Sequence, residues 1–134
     1  MIGPHEGREL ELMLQGCKPL SVFVVESPDP DWVEFPEDKF DEQVTLGSLR
    51  KFERTKQVNI PGGGSLEIRT VYYSLPDEEW RIGAFVFLED LYKTLGSGYR
   101  PDLERVTGRL LGYEFTDIEF FLQRLRSKGV NFAY

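Results

Sequence analysis

Carboxylates are the groups in this sequence best placed to do chemistry, and they are bunched. Residues 26–42, ESPDPDWVEFPEDKFDE, hold eight acids (Glu26, Asp29, Asp31, Glu34, Glu37, Asp38, Asp41 and Glu42) against one base, Lys39. The whole chain has 16 Lys+Arg and 23 Asp+Glu, a net charge of −7. Outside the window acids and bases therefore balance, and the entire excess sits in this one stretch. Such a density of carboxylates has three uses: holding a divalent cation, sharing a proton in acid–base catalysis, or meeting a positive surface. The Asp-x-Asp-x-Asp-Gly spacing of a calcium loop is absent, which weakens the first. Trp32, Phe35 and Phe40 are interspersed, and a purely solvating tract has no need of them. The stretch therefore reads as a docking surface for a basic protein partner. The contact residues expected from it are Asp29, Asp31, Trp32, Glu34, Phe35, Glu37, Asp38, Asp41 and Glu42.

Other chemical groups are weaker. His5 with Glu6 and Glu9 has helical spacing but sits at a chain end, where order is usually poor. Cys17 follows a helix end, whose negative dipole disfavours a reactive thiolate, so it reads as structural or incidental. PGGGS at 61–65 lacks the Lys-Ser/Thr of a phosphate loop and joins two strand-like segments. GSGYR at 96–100 precedes a helical pattern, so Arg100 and Arg105 are the anion-binding candidates there. Tyr72, Tyr73, Trp80 and Arg81 look like one hairpin's cluster, read equally well as interface anchors or as cross-strand neighbours.

Composition narrows the class. A chain of 134 residues is expected to form a single globular domain over residues 1–134. One cysteine leaves no internal disulfide, and with one histidine it leaves no Cys/His zinc site. The acidic balance disfavours direct nucleic-acid binding. No apolar run is long enough to span a membrane, and MIGPHEGREL lacks the basic and apolar regions of a secretory signal. A cytoplasmic location and no cofactor are the expectations.

The elements that must position these groups follow from periodicity. A helix is expected over about 5–15, from the Leu10, Met13, Leu14 stripe. Val22-Phe23-Val24-Val25 is apolar on both faces, as a central or partner-covered strand would be. Pro36–Leu46 reads as a short acidic-fronted helix that Gly47 ends. Residues 49–58 form a strand whose Arg50, Lys51, Arg54 and Lys56 outnumber Glu53, marking an edge. Residues 66–75 and 80–88 alternate as two further strands, giving a meander with 49–58. Leu103, Val106, Leu110 and Leu111 form a helical stripe between Pro101 and Gly112.

A second helix is expected from Thr116 to Gly129. Thr116-Asp117-Ile118-Glu119 has the form of a capping box, and Phe115 with Phe120 the form of a hydrophobic staple. The short link at 112–115 then reads as a fixed corner and not as a hinge. Gly108, inside the first of these helices, calls for close packing.

The fold class is thus α+β: an antiparallel sheet of about four strands, with the N-terminal helix and the C-terminal αα-corner packed on one face. The leading functional expectation is a small acidic cytoplasmic binding protein, inhibitor-, immunity- or antitoxin-like. The alternatives are a small carboxylate-dependent enzyme, with or without a metal, and an assembly subunit.

Overall fold

The computed structural model describes residues 7–27, 36–95 and 100–129. Within them the chain is α+β, with a three-stranded antiparallel sheet and five helices. The order is α1 (Glu9–Leu14), β1 (Leu20–Ser27), α2 (Glu37–Thr45), β2 (Arg50–Asn59), β3 (Ser65–Ser74), a short 3-10 turn (Pro76–Glu78), α3 (Trp80–Thr94), α4 (Pro101–Leu110) and α5 (Phe115–Ser127).

The sheet runs β1-β3-β2, so β3 is central and, among the described residues, both other strands are edges. Register is set by Leu20 opposite Ser74 on one side and Arg50 opposite Ser74 on the other. The hairpin between β2 and β3 turns through the triple glycine, closed by the Ile60 amide donating to the Gly64 carbonyl at 3.1 Å. The basic strand β2 is an edge, as its charge pattern implied. By contrast β1 is not central: among the described residues it pairs with β3 alone, and Val24 is exposed.

Because successive strand residues face opposite ways, β3 feeds two cores. Val71 and Tyr73 face Met13 of α1, Phe40 of α2 and Leu49. Tyr72 faces the other way, toward Leu20, Ile82 and Leu88 of α3, and Leu110 of α4. All four residues from Val71 to Ser74 are fully buried. The sheet is thus the middle of three layers. The expectation of helices on one face is corrected: α1 and α2 cover one side, α3 and α4 the other.

The expected fourth strand, 80–88, is also corrected, being the first part of α3. An unbroken apolar run satisfies strand and helix periodicities alike, and length decides between them. The run continues through Glu89, Asp90, Leu91, Tyr92 and Lys93 without a breaker, and acids at Asp77 and Glu78 precede it. Fifteen residues is helix length.

The α4/α5 corner is rigid for steric reasons. At Gly108 an added Cβ would lie 2.7 Å from Ile118 Cγ1, so the helices touch there. Gly112 has φ +88° and backs onto Pro19, where a Cβ would meet Cδ at 2.5 Å. The buried Lys18 donates from Nζ to the Leu111 carbonyl at 2.6 Å, tying the corner to the start of β1. Burial is the main reason the Lys18 ammonium falls to a pKa of about 8.

The capping box, in contrast, does not form. The cap of helix α5 lies two residues earlier than expected, at Glu114 in place of Thr116, with no side-chain hydrogen bond there. Glu119 instead grips Arg105 of α4, with Nε–Oε2 2.9 Å and Nη2–Oε1 3.1 Å. A forked charge-assisted pair outcompetes a neutral backbone cap. Phe115 and Phe120 are each 59% exposed, so no staple closes either.

Gly108→Ala sets helix propensity, worth about 1 kcal/mol in favour of Ala, against a clash with the buried branch of Ile118. The clash dominates: the variant should lose about 1–2 kcal/mol in urea unfolding. An unchanged or higher midpoint would mean that the two helices do not meet as closely as this.

Candidate functional site

The acidic window divides in two. Asp29, Asp31, Trp32, Glu34 and Phe35 lie outside the described residues. Its C-terminal part is α2, where Pro36 precedes the first turn and Glu37 and Asp38 favour the positive end of the dipole. Phe40 is buried against Phe23 and Tyr73, with ring centroids 5.2 and 4.7 Å away. That packing fixes which carboxylates turn inward.

Glu37 and Asp41 are the inward pair. Arg69 of β3 forks onto Glu37 at 2.6 and 2.7 Å, and Lys51 of β2 reaches Glu37 at 3.1 Å and Asp41 at 2.8 Å. Tyr73 donates its buried hydroxyl to Asp41 Oδ1 at 2.8 Å, and Glu53 completes the group by accepting from Arg69 at 3.1 Å. The hydrogen bond from Arg69, joined by Lys51, overcomes desolvation and holds Glu37 down at a pKa of about 2. Burial, with the bond to Asp41, drives the Tyr73 phenol far above its ordinary range. Neither group is poised to exchange a proton near neutral pH, and the pairs anchor α2 against the sheet. Asp38 and Glu42 face the other way and are exposed, one helical turn apart.

A second network mirrors the first across the sheet. Tyr72 donates its hydroxyl to Glu89 of α3. Arg54 of β2 donates to Tyr72 at 3.3 Å, Glu89 at 3.2 Å and Asp90 at 3.0 Å. Burial and the Glu89 contact raise the Tyr72 phenol to about 12. The expected cluster of Tyr72, Tyr73, Trp80 and Arg81 is therefore corrected. The two tyrosines are buried on opposite faces, while Trp80 is 60% exposed with the Arg81 guanidinium 4.8 Å from its ring.

The crevice between α4 and α5 was not anticipated from the sequence. It encloses about 160 Å³. Helix α4 contributes Glu104 and Thr107, the corner Leu111 and Tyr113, and α5 Asp117 and Phe121. Tyr92 of α3 donates to Glu104 at 2.9 Å, and burial raises this carboxyl above its ordinary value. The Thr107 hydroxyl is buried and, among the described residues, has no hydrogen-bond partner. Scattered as they are along 104–121, these residues form no motif. Only the helix crossing that Gly108 permits brings them to one place, and Gly108 itself was the available sequence signal.

The remaining candidates stay minor. Cys17 is exposed, its Sγ 3.9 Å from the Gln15 carbonyl. His5 and Glu6 fall outside the described residues, as do residues 96–99 of the glycine-rich candidate. Arg100 pairs with Asp102 at 3.2 Å, and Arg105 is held by Glu119. Among the described residues no group of three or more His, Cys, Asp or Glu is placed to hold a metal ion, and no helix is long and apolar enough to cross a membrane. No protein family, no curated protein and no solved structure matches the chain.

Glu37 also predicts a pH dependence. Its pKa is depressed on folding from an ordinary 4.5 to about 2. Its contribution is therefore complete above about pH 4.5 and drains away as the pH falls toward 2. With the side chain 26% exposed, solvent screening reduces this contribution to about 1–2 kcal/mol. Urea unfolding of wild type and Glu37→Gln should differ by that amount at pH 7 and converge in acid. A gap of constant size down to pH 2 would show that the ionised pair is not its source.

Proposed function

We propose that this chain is a small acidic binding protein, inhibitor-, immunity- or antitoxin-like, that docks a basic partner through the segment 26–42. The observation that carries this reading is the charge distribution: the full net charge of −7 belongs to that one stretch. A surface of one sign raises the encounter rate with an oppositely charged partner and excludes like-charged ones.

The roles within the segment differ. Glu37 and Asp41 are taken up by Lys51, Arg69 and Tyr73, so they serve as positioning residues that hold α2 against the sheet. The contact set becomes Asp38 and Glu42, exposed on the outer side of α2, together with Asp29, Asp31, Trp32, Glu34 and Phe35 from the residues preceding it. Anchoring part of an interface in advance lowers the ordering cost of association. A cytoplasmic setting belongs to the same reading, in keeping with a single, unpaired cysteine.

The test is affinity capture from native lysate with the full chain, at about 50 and about 500 mM salt. Wild type should retain a basic partner at low salt and release it at high salt. A variant carrying D29N, D31N, D38N and E42Q should lose the partner, whereas Glu37→Gln should retain it provided it stays folded. Equal retention by the neutralised variant, or at both salt concentrations, would sink the electrostatic reading.

A further inference from the structure

We propose that the crevice between α4 and α5 is a binding site for a small organic cation, a primary ammonium carried on a compact apolar body. This inference is independent of the carboxylates of α2, a helix that covers the opposite face of the sheet.

Size sets the first limit. About 160 Å³ is well below the roughly 300–1,000 Å³ of sites that take nucleotides or drug-sized molecules. It is close to the cavity of about 150 Å³ that accepts benzene when lined by aliphatic and aromatic side chains. An occupant of roughly six to nine non-hydrogen atoms fits such a space.

The walls set the second. Leu111, Ile118 and Phe121 supply an apolar lining for the body of the ligand. The charged groups are Glu104 on one helix and Asp117 on the other, and no basic side chain is among the lining residues. The adjacent Lys18 ammonium is already committed to the Leu111 carbonyl and lies over the Tyr113 ring, so the two acids favour a cation over a neutral or anionic molecule.

The third argument is hydrogen-bond capacity left unused. Glu104 accepts from Tyr92 through Oε1, and among the described residues no second protein donor reaches its carboxylate. Beside it the Thr107 hydroxyl is buried and, among the same residues, unpartnered, an expensive state in a folded chain unless something else supplies the partner. An ammonium has three donors and no acceptor, so it can serve the free carboxylate oxygen and the hydroxyl together. The desolvation that raises Glu104 points the same way, since a buried carboxyl gains most from an arriving cation. The rigid corner, fixed by Gly112 on Pro19 and Lys18 on Leu111, keeps the crevice preformed.

The probe is 2-phenylethylamine, titrated into the isotopically labelled full chain and followed by backbone amide shifts. Two molecules with the same body serve as comparisons, neutral 2-phenylethanol and anionic 3-phenylpropionate. The amine should saturate at a Kd of about 10 µM to 1 mM, with the largest shifts at Gly108, Leu111 and Asp117. The alcohol should bind about tenfold or more weaker, and the anion weaker still. Glu104→Gln keeps a carbonyl oxygen for Tyr92, and Asp117→Asn alters the opposite wall. Either variant, once its spectrum shows it folded, should weaken the amine by about tenfold or more. The proposal is overturned by any of three results: no saturation up to about 10 mM amine, equal affinity for amine and anion, or shifts centred on the acids of α2. Undiminished binding by both folded variants would overturn it equally.

Discussion

Two adjacent tyrosines on the central strand impose the constraint on which this molecule depends. Tyr72 and Tyr73 are both fully buried, yet as neighbours on a strand they must point to opposite faces. Each brings a large apolar ring and a hydroxyl that is costly to bury unpaired. The chain meets that requirement twice by the same device. A carboxylate from the helix covering each face accepts the phenol proton, Asp41 from α2 and Glu89 from α3. A cation from β2 then neutralises each carboxylate, Lys51 on one side and Arg54 on the other. These pairs set which side of each helix faces the sheet.

This explains why the basic edge strand and the acidic surroundings belong together. The cations of β2 protect the open edge, but they also bind the layers: Arg50 reaches Glu79, Lys51 reaches α2, and Arg54 reaches α3. Pairs of this kind are partly exposed, and individually they contribute little. Their value here is orientation. The apolar clusters on either side supply most of the cohesion, and a slip of any strand by one residue would exchange the two faces and bury charge. The same pairing reorganises the acidic segment. Two of its carboxylates, Glu37 and Asp41, are taken up by cations of the sheet, while Asp38 and Glu42 remain exposed.

Much of the local architecture was legible in the residues. The acid-fronted helix after Pro36, the triple-glycine hairpin, the basic edge and the helix begun by Pro101 all follow from short-range preferences. So does the tight contact at Gly108, since an interior glycine needs a reason. The candidate crevice was not legible. Glu104, Thr107 and Asp117 are individually ordinary, and their convergence depends on how two helices cross. The capping pattern at Thr116–Glu119 misled for a related reason: Arg105, distant in sequence, is close in space and claims the glutamate.

The sequence by itself determined the composition of the surface charge, the α+β class, the turns and most element boundaries, because these rest on interactions between near neighbours. Tertiary structure alone decided that, among the described residues, β1 lies at an edge, that helices cover both faces of the sheet, and which carboxylates of α2 pair with the sheet. Those outcomes depend on partners far along the chain. An apolar run or an acidic run has no preferred partner until packing and the pairing of buried polar groups supply one.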